Sequence, residues 1–210
     1  MINYRKDYFG IVTLTLDMSN QRVNVINSEI AQAFEPVLDH LENDKLLKGV
    51  IVTSAKNSFL AGGDLDFLHQ AEDPSIVFEY TDRLRKIFRR FELLKVPVVA
   101  AISGAALGSG FEFTLACHRR IALDSPKTIL GMPEVSLGMI PGGGSMIRMM
   151  WMLGLKEAFN IISNGRTLHV REALAKGLID EIAEDKDVML ANARNWILSN
   201  PNIAKAWDTE

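Results

Sequence analysis

The sequence predicts an α/β domain, and three observations carry that expectation: a period-two strand near the start, two short and wholly apolar runs, and amphipathic helical stretches placed between them. From Ser145 onward strand signals fade, so the second half of the chain is expected to be helical.

Ile11-Val-Thr-Leu-Thr-Leu16 alternates with period two and runs into Asp17-Met-Ser-Asn20, the pattern of a strand leading into a turn. Ser28 is expected to cap a helix that continues to about Leu41. Gly49-Val-Ile-Val-Thr53 is short, apolar and flanked by polar residues, as a strand buried on both faces would be. Asp73-Pro74 opens the next helix, because Ile76, Val77, Tyr80, Leu84, Ile87, Phe88 and Phe91 recur at three- and four-residue steps and proline suits a first turn. It should end before Pro97. Val98-Val-Ala-Ala-Ile102 reads as a third core strand, after which the pattern turns helical from Gly104 through Phe111 to about His118. Further helices are expected over Ser145 to Leu153, Lys156 to Ser163, Val170 to Lys176 and Asp187 to Leu198, followed by a loose polar tail from Asn200 to Glu210.

Bulk properties narrow the class. A chain of 210 residues that is 48% hydrophobic can bury the core of one domain. The formal charge of −3, from 23 basic and 26 acidic residues without a block of like charge, gives no nucleic-acid groove and no footprint for an anionic membrane. A single cysteine, Cys117, excludes an internal disulfide and suits a reducing compartment. The first residues are too polar for a signal peptide, and no apolar run approaches the roughly 20 residues of a membrane span. The chain therefore reads as cytoplasmic.

Three glycine-rich turns carry the candidate chemistry. Ala61-Gly62-Gly63-Asp64 follows a buried strand and precedes a helix, so it is either a start capped by Asp64 or a set of backbone N–H groups offered to a ligand. Gly108-Ser-Gly-Phe-Glu112 starts a helix with Glu112 as its one charge, and no other charged residue lies between Gly104 and Cys117. Glu134 is likewise the one charge between Gly131 and Gly144, a stretch that ends in Pro141-Gly-Gly-Gly144. Two isolated carboxylates in apolar turns fit a pair that exchanges protons better than two surface acids do. Two backbone N–H groups meeting at one carbonyl oxygen would hold the charge that such a reaction develops. Gly142 to Gly144 and Ser145 are expected to add N–H groups near water or substrate.

Other residues carry less. His40, His69, His118 and His169 lack metal-ligand spacing and read as surface or helix-end residues. Cys117 reads as core, Gly108-Ser109-Gly110 lacks nucleophile-elbow spacing, and Gly142-Gly-Gly144 is not a phosphate loop because no Gly-Lys-Ser/Thr follows.

From about Phe9 to Ala183 the chain resembles the enoyl-CoA hydratase/isomerase, or crotonase, superfamily. The resemblance is carried by Phe59-Leu-Ala-Gly-Gly-Asp64, Pro97-Val-Val-Ala-Ala-Ile-Ser-Gly104, Leu107-Gly-Ser-Gly-Phe-Glu112, Pro133-Glu-Val-Ser-Leu-Gly138 and Gly177-Leu-Ile-Asp180. Pro141-Gly-Gly-Gly-Ser-Met-Ile-Arg148 and Met152-Leu-Gly154 look most like the N-terminal hydratase/isomerase part of the bifunctional fatty-acid β-oxidation subunit.

The resemblance implies a spiral of ββα units with a helical C-terminal region over residues 1–198, and a polar tail over 199–210 that starts a linker to a missing domain. It implies an enoyl-CoA hydratase with isomerase capability, acting on a CoA thioester with no separate cofactor and no metal. Glu112 and Glu134 would be catalytic, the N–H groups of Ala61 and Ser109 would form the oxyanion hole, and Arg22, Val23, Leu60, Gly62, Asp64, Gly108, Pro133 and Gly142 would bind substrate. It also implies fusion to a 3-hydroxyacyl-CoA dehydrogenase and association with a thiolase. Ser109 stands where the family usually has glycine, the turn Ser19-Asn-Gln-Arg-Val-Asn-Val-Ile26 lacks the common proline, and the trimer-forming helical tail is absent. A monomer or weak dimer with Trp151 and Trp196 exposed is therefore expected. The alternatives are an acyl-CoA-binding scaffold without turnover, or thioester hydrolysis or decarboxylation at the same site.

Overall fold

The computed structural model describes residues 1–19 and 21–209; Asn20, in the turn expected after Leu16, and Glu210, at the end of the tail, lie outside the described residues. Six strands form the main sheet: β1 (Ile2–Lys6), β2 (Ile11–Leu16), β3 (Gly49–Ser54), β4 (Val98–Ile102), β6 (Arg119–Leu123) and β9 (Glu181–Ala183), in the order β1-β2-β3-β4-β6-β9. β1 and β2 are antiparallel and every later pair is parallel, with Val12 beside Val50 and Val50 beside Val98. A second sheet joins β5 (Ala106–Leu107), β7 (Ile129–Gly131) and β8 (Thr167–His169).

The three core strands expected from sequence are all present and buried, because apolar side chains on both faces need cover on both sides. One face packs against α1 (Ser28–Asn43), α3 (Pro74–Glu92) and α4 (Ser109–Ala116). The other face, through Ile11, Ile51, Val99 and Ile121, is covered by Met189, Ala193 and Ile197 of α8 (Lys186–Ser199). Phe113 of α4 is the hub of the first layer, with ring centroids of Phe34, Phe88 and Phe91 at 5.7, 5.6 and 5.2 Å. Burial and edge-to-face geometry both stabilise that cluster and fix α4 against α3.

Several expectations change. Asn27, not Ser28, caps α1, its side chain accepting from the Ile30 N–H at 3.0 Å. The second half is not purely helical: between α5 (Ser145–Leu153), α6 (Leu155–Ser163), α7 (Val170–Ala175) and α8 lie β8 and β9, strands of three residues each, too short to show a period. β1, β6 and β7 are further strands beyond those expected, and the helix expected from Gly104 to about His118 is shorter, with β5 at Ala106–Leu107 and α4 running only from Ser109 to Ala116.

The tail is anchored rather than loose. Lys205 is buried and its ammonium donates to the Leu115 carbonyl at 2.9 Å and to that of Cys117, while Asp208 pairs with Arg89. These contacts meet the last carbonyls of α4, where a cation is favoured. His118 is also buried, its Nδ1 accepting from the Val98 N–H at 3.0 Å, and burial pulls its pKa down to about 4. Trp151 is exposed as expected, but Trp196 is half-buried under the Arg119 guanidinium.

Candidate active site

The C-terminal edge of β3 and the short strand β5 deliver two of the glycine turns to the same place. Leu60 and Ala106 form a bridge, so the turn at residues 61–64 lies against residues 107–109, and a Cβ on Gly63 would stand 3.4 Å from Ser109 Oγ. Pairing of β5 with β7 brings in the third segment, with the Gly108 N–H donating to the Gly131 carbonyl at 2.9 Å. Glu134 then follows in a 3-10 helix, Pro133–Leu137. Around these turns is a cavity of about 820 Å³, walled by Tyr80, Thr81 and Leu84 of α3 and by Leu107, Val135 and Met139. Its size and largely apolar lining, with few polar groups, suit a small organic ligand. Val135, Leu137 and Ile140 line it too, yet are 41%, 52% and 74% exposed.

Glu112 and Glu134 both line this cavity, as their isolation in sequence suggested. Their surroundings are opposite. Glu112 is 1% exposed, and its carboxyl accepts from the Gly143 N–H at 2.9 Å, the Ser145 N–H at 3.1 Å and the Ser145 hydroxyl at 2.7 Å. Those N–H groups, expected to face water or substrate, are spent on holding the carboxyl. Glu134 Oε2 is buried with no hydrogen-bond partner among the described residues. Burial, with a smaller push from the Glu112 charge, raises the Glu134 pKa to about 7. One carboxyl is fixed in place, and the other exchanges a proton near neutrality.

The oxyanion expectation needs one correction. The Ala61 N–H donates to the Asn24 carbonyl at 2.8 Å, so its single hydrogen is used inside the fold. Two residues on, the Gly63 N–H has no acceptor among the described residues, and Gly63 lines the cavity. Ser109 begins α4, where first-turn N–H groups have no intrahelical partner, and it lines the cavity beside Gly63.

The remaining expected binding residues divide. Gly62, Gly108, Pro133 and Gly142 line the cavity. Leu60 is fully buried in the core and does not line it. Asp64 caps α2 (Leu65–Gln70), accepting from the Phe67 N–H at 3.0 Å, so its side chain serves the helix start rather than the cavity. Arg22 and Val23 are exposed outside the cavity. Sequence reasoning missed Asn24, a buried amide that accepts from the Met18 N–H at 3.0 Å and donates to the Leu16 carbonyl and Ser54 Oγ. A lone Asn in a polar turn gives no signal of that role. Cys117 is buried core, its thiol pushed up to about 12 by desolvation.

Residues 7–206 match the family model described as enoyl-CoA hydratase/isomerase. The fatty acid oxidation complex subunit alpha of Shewanella halifaxensis is 36% identical over 197 residues, which cover 93% of this chain and 28% of that protein. The chain thus spans little more than a quarter of the length of that curated relative. The crystal structure of enoyl-CoA hydratase from Bacillus anthracis superposes with a TM-score of 0.86 at 28% identity, covering 94% of this chain and 75% of that one. The enoyl-CoA hydratase of Thermoplasma volcanium, at 22% identity and a TM-score of 0.86 over 95% of this chain and 78% of its own, shares the fold.

Proposed function

The chain belongs to the enoyl-CoA hydratase/isomerase family, and from that premise we propose that it adds water across the 2,3 double bond of a 2-enoyl-CoA thioester to give a 3-hydroxyacyl-CoA. The observation that carries the reading is the unequal pair in one apolar cavity: Glu112 held by three donors, and Glu134 with its Oε2 unpartnered among the described residues and its pKa raised to about 7.

The Gly63 and Ser109 N–H groups receive the thioester oxygen and draw electron density from the conjugated double bond, which makes the β-carbon electrophilic. A water held by the Glu112 carboxylate attacks that carbon and passes one proton to Glu112. The α-carbon takes a proton from Glu134, and the transient negative charge on the thioester oxygen collapses back. Each turnover leaves Glu112 protonated and Glu134 ionised, and proton exchange with water resets the pair. Coenzyme A is part of the substrate, and its nucleotide end stays outside the cavity, near the exposed Arg22 and Val23.

Isomerisation is a second reading, favoured by a Glu134 that exists in both protonation states near neutrality. Ionised Glu134 would take a proton from C2 of a 3-enoyl-CoA and return it at C4. By its likeness to the alpha subunit, the chain would act in fatty-acid β-oxidation, joined to a 3-hydroxyacyl-CoA dehydrogenase and working with a thiolase. The test is loss of enoyl-thioester absorbance with crotonyl-CoA, and with a longer enoyl-CoA, with products resolved by mass. A folded protein that binds these thioesters without converting them would leave the scaffold reading instead.

A further inference from the structure

Behind the cavity lies a chain of polar contacts that the proposed mechanism does not use. Arg148, in the first turns of α5, and Glu92, the last residue of α3, are 7% and 4% exposed. Arg148 Nε and Nη2 donate to Glu92 Oε1 and Oε2 at 2.8 and 3.0 Å, a two-pronged pair. The remaining nitrogen, Nη1, donates to the Gly143 carbonyl at 2.8 Å. Gly143 is the residue whose N–H is centred on both oxygens of Glu112, at 2.9 Å each. Glu92 is held from its other side by Arg89, which also pairs with Asp208 in the tail.

A buried ion pair is a poor source of stability, because desolvation of both charges offsets most of their attraction. A role in joining α3 to α5 therefore explains this pair weakly. The third contact explains it better. The loop at residues 142–144 has no side chain with which to fix itself, and Gly144, at φ +98°, sits against the guanidinium. We infer that Arg148, oriented by Glu92, is a positioning residue that sets the Gly143 peptide and through it the direction of the Glu112 carboxyl. This inference rests on the hydration mechanism above and extends it by one layer of contacts. Donation to the Gly143 carbonyl also polarises that loop, since linked hydrogen bonds strengthen one another.

The test compares the wild type with Glu92→Leu/Arg148→Met, which removes both buried charges together and so leaves neither unpaired, and with Arg148→Lys, which keeps a charge and a donor but loses the fork. Folding is checked by circular dichroism, and hydration of crotonyl-CoA is followed from pH 5 to 9. The double variant should keep KM within about threefold while kcat falls roughly ten- to a hundredfold, the effect of a misplaced group. The kcat/KM pH limb due to Glu134 should shift from its wild-type position near 7, because the Glu112 charge contributes to raising it and that carboxyl is no longer held in the same direction. Arg148→Lys should lie between the two, and it decides alone if the double variant does not fold. Wild-type kcat in both folded variants, or KM and kcat changing together with the pH limb unmoved, would overturn the inference while leaving hydration intact. A folded wild type without hydration activity would instead remove the functional reading, and this inference with it.

Discussion

Gly108 and Glu134 share one small space: a Cβ on Gly108 would lie 2.8 Å from Glu134 Oε1. Gly108 also has φ +50°, a conformation that side chains disfavour. The turn at the head of α4 therefore closes against the carboxyl because no side chain stands between them. Gly108→Ala should displace Glu134 and lower kcat by about a hundredfold, since small misplacements cost that much. Gly154→Ala, at φ +78° with open space around it, bears the backbone strain without the displacement and should keep its kcat. Equal kcat in the two variants would contradict the spatial argument.

Glu112→Gln and Glu134→Gln should each lower kcat for hydration by about 10²- to 10⁴-fold, the range for a positioned acid or base, with little change in substrate binding. Steady-state kinetics paired with calorimetric binding of a saturated acyl-CoA separates the two effects. Near wild-type turnover in either variant would take that carboxyl out of the mechanism.

Ser109→Ala should be nearly silent, because the proposed donor is the backbone N–H. Ser109→Pro should cost about 3–4 kcal/mol of transition-state stabilisation. Ser109 is the first residue of α4, where proline is tolerated, so the helix should survive and the loss should appear in kcat rather than in the melting temperature. A large defect in a folded Ser109→Ala protein would point to the hydroxyl instead.

The pH dependence follows from Glu134, whose carboxyl is raised from 4.5 to about 7, chiefly by burial. The proposed hydration needs its protonated form in the free protein, so kcat/KM should fall as pH rises through about 7. Folding tightens proton binding here, which gives stability that is complete below pH 4.5 and lost as pH approaches 7. Glu134→Gln has no such loss. Its stability should therefore gain on the wild type between pH 4 and pH 8, by about 1–2 kcal/mol once partial solvent access is allowed for. Urea denaturation at both pH values measures it, and an unchanged gap would show that the carboxyl is not buried as described.

Replacing Lys205 by alanine should destabilise the protein by about 1–3 kcal/mol, because the buried Leu115 carbonyl at the end of α4 loses its donor, while the Cys117 carbonyl keeps only the Arg120 guanidinium. Asp208→Asn, at an exposed pair, should cost under about 1 kcal/mol. Thermal melts of the two variants check the ranking. Reversed magnitudes would mean that the tail is held by its outer ion pair rather than by Lys205.

What was legible in the sequence was whatever repeats or stands alone. β2, β3 and β4 show as period-two or wholly apolar runs, α3 as a regular stripe, and Glu112 and Glu134 as single charges in uncharged turns. Strands of three residues have no period to detect, so β7, β8 and β9 were invisible. The shift from Ala61 to Gly63 depends on which N–H the Asn24 carbonyl takes, a contact between segments 37 residues apart that local pattern does not encode. The tail read as loose because its composition is polar, whereas Lys205 folds back onto the end of α4 and meets Leu115, 90 positions earlier in the chain.

The wall that follows Glu134 differs in kind from the rest of the cavity. Val135, Leu137 and Ile140 face the ligand space yet remain open to solvent, so substitutions there disturb little of the core that keeps α4 and its carboxyl in register. A lineage, or a saturation library, can therefore vary what the protein accepts at these three positions at low risk to folding. The same freedom is denied at Phe113, where every change of shape is felt by four rings at once.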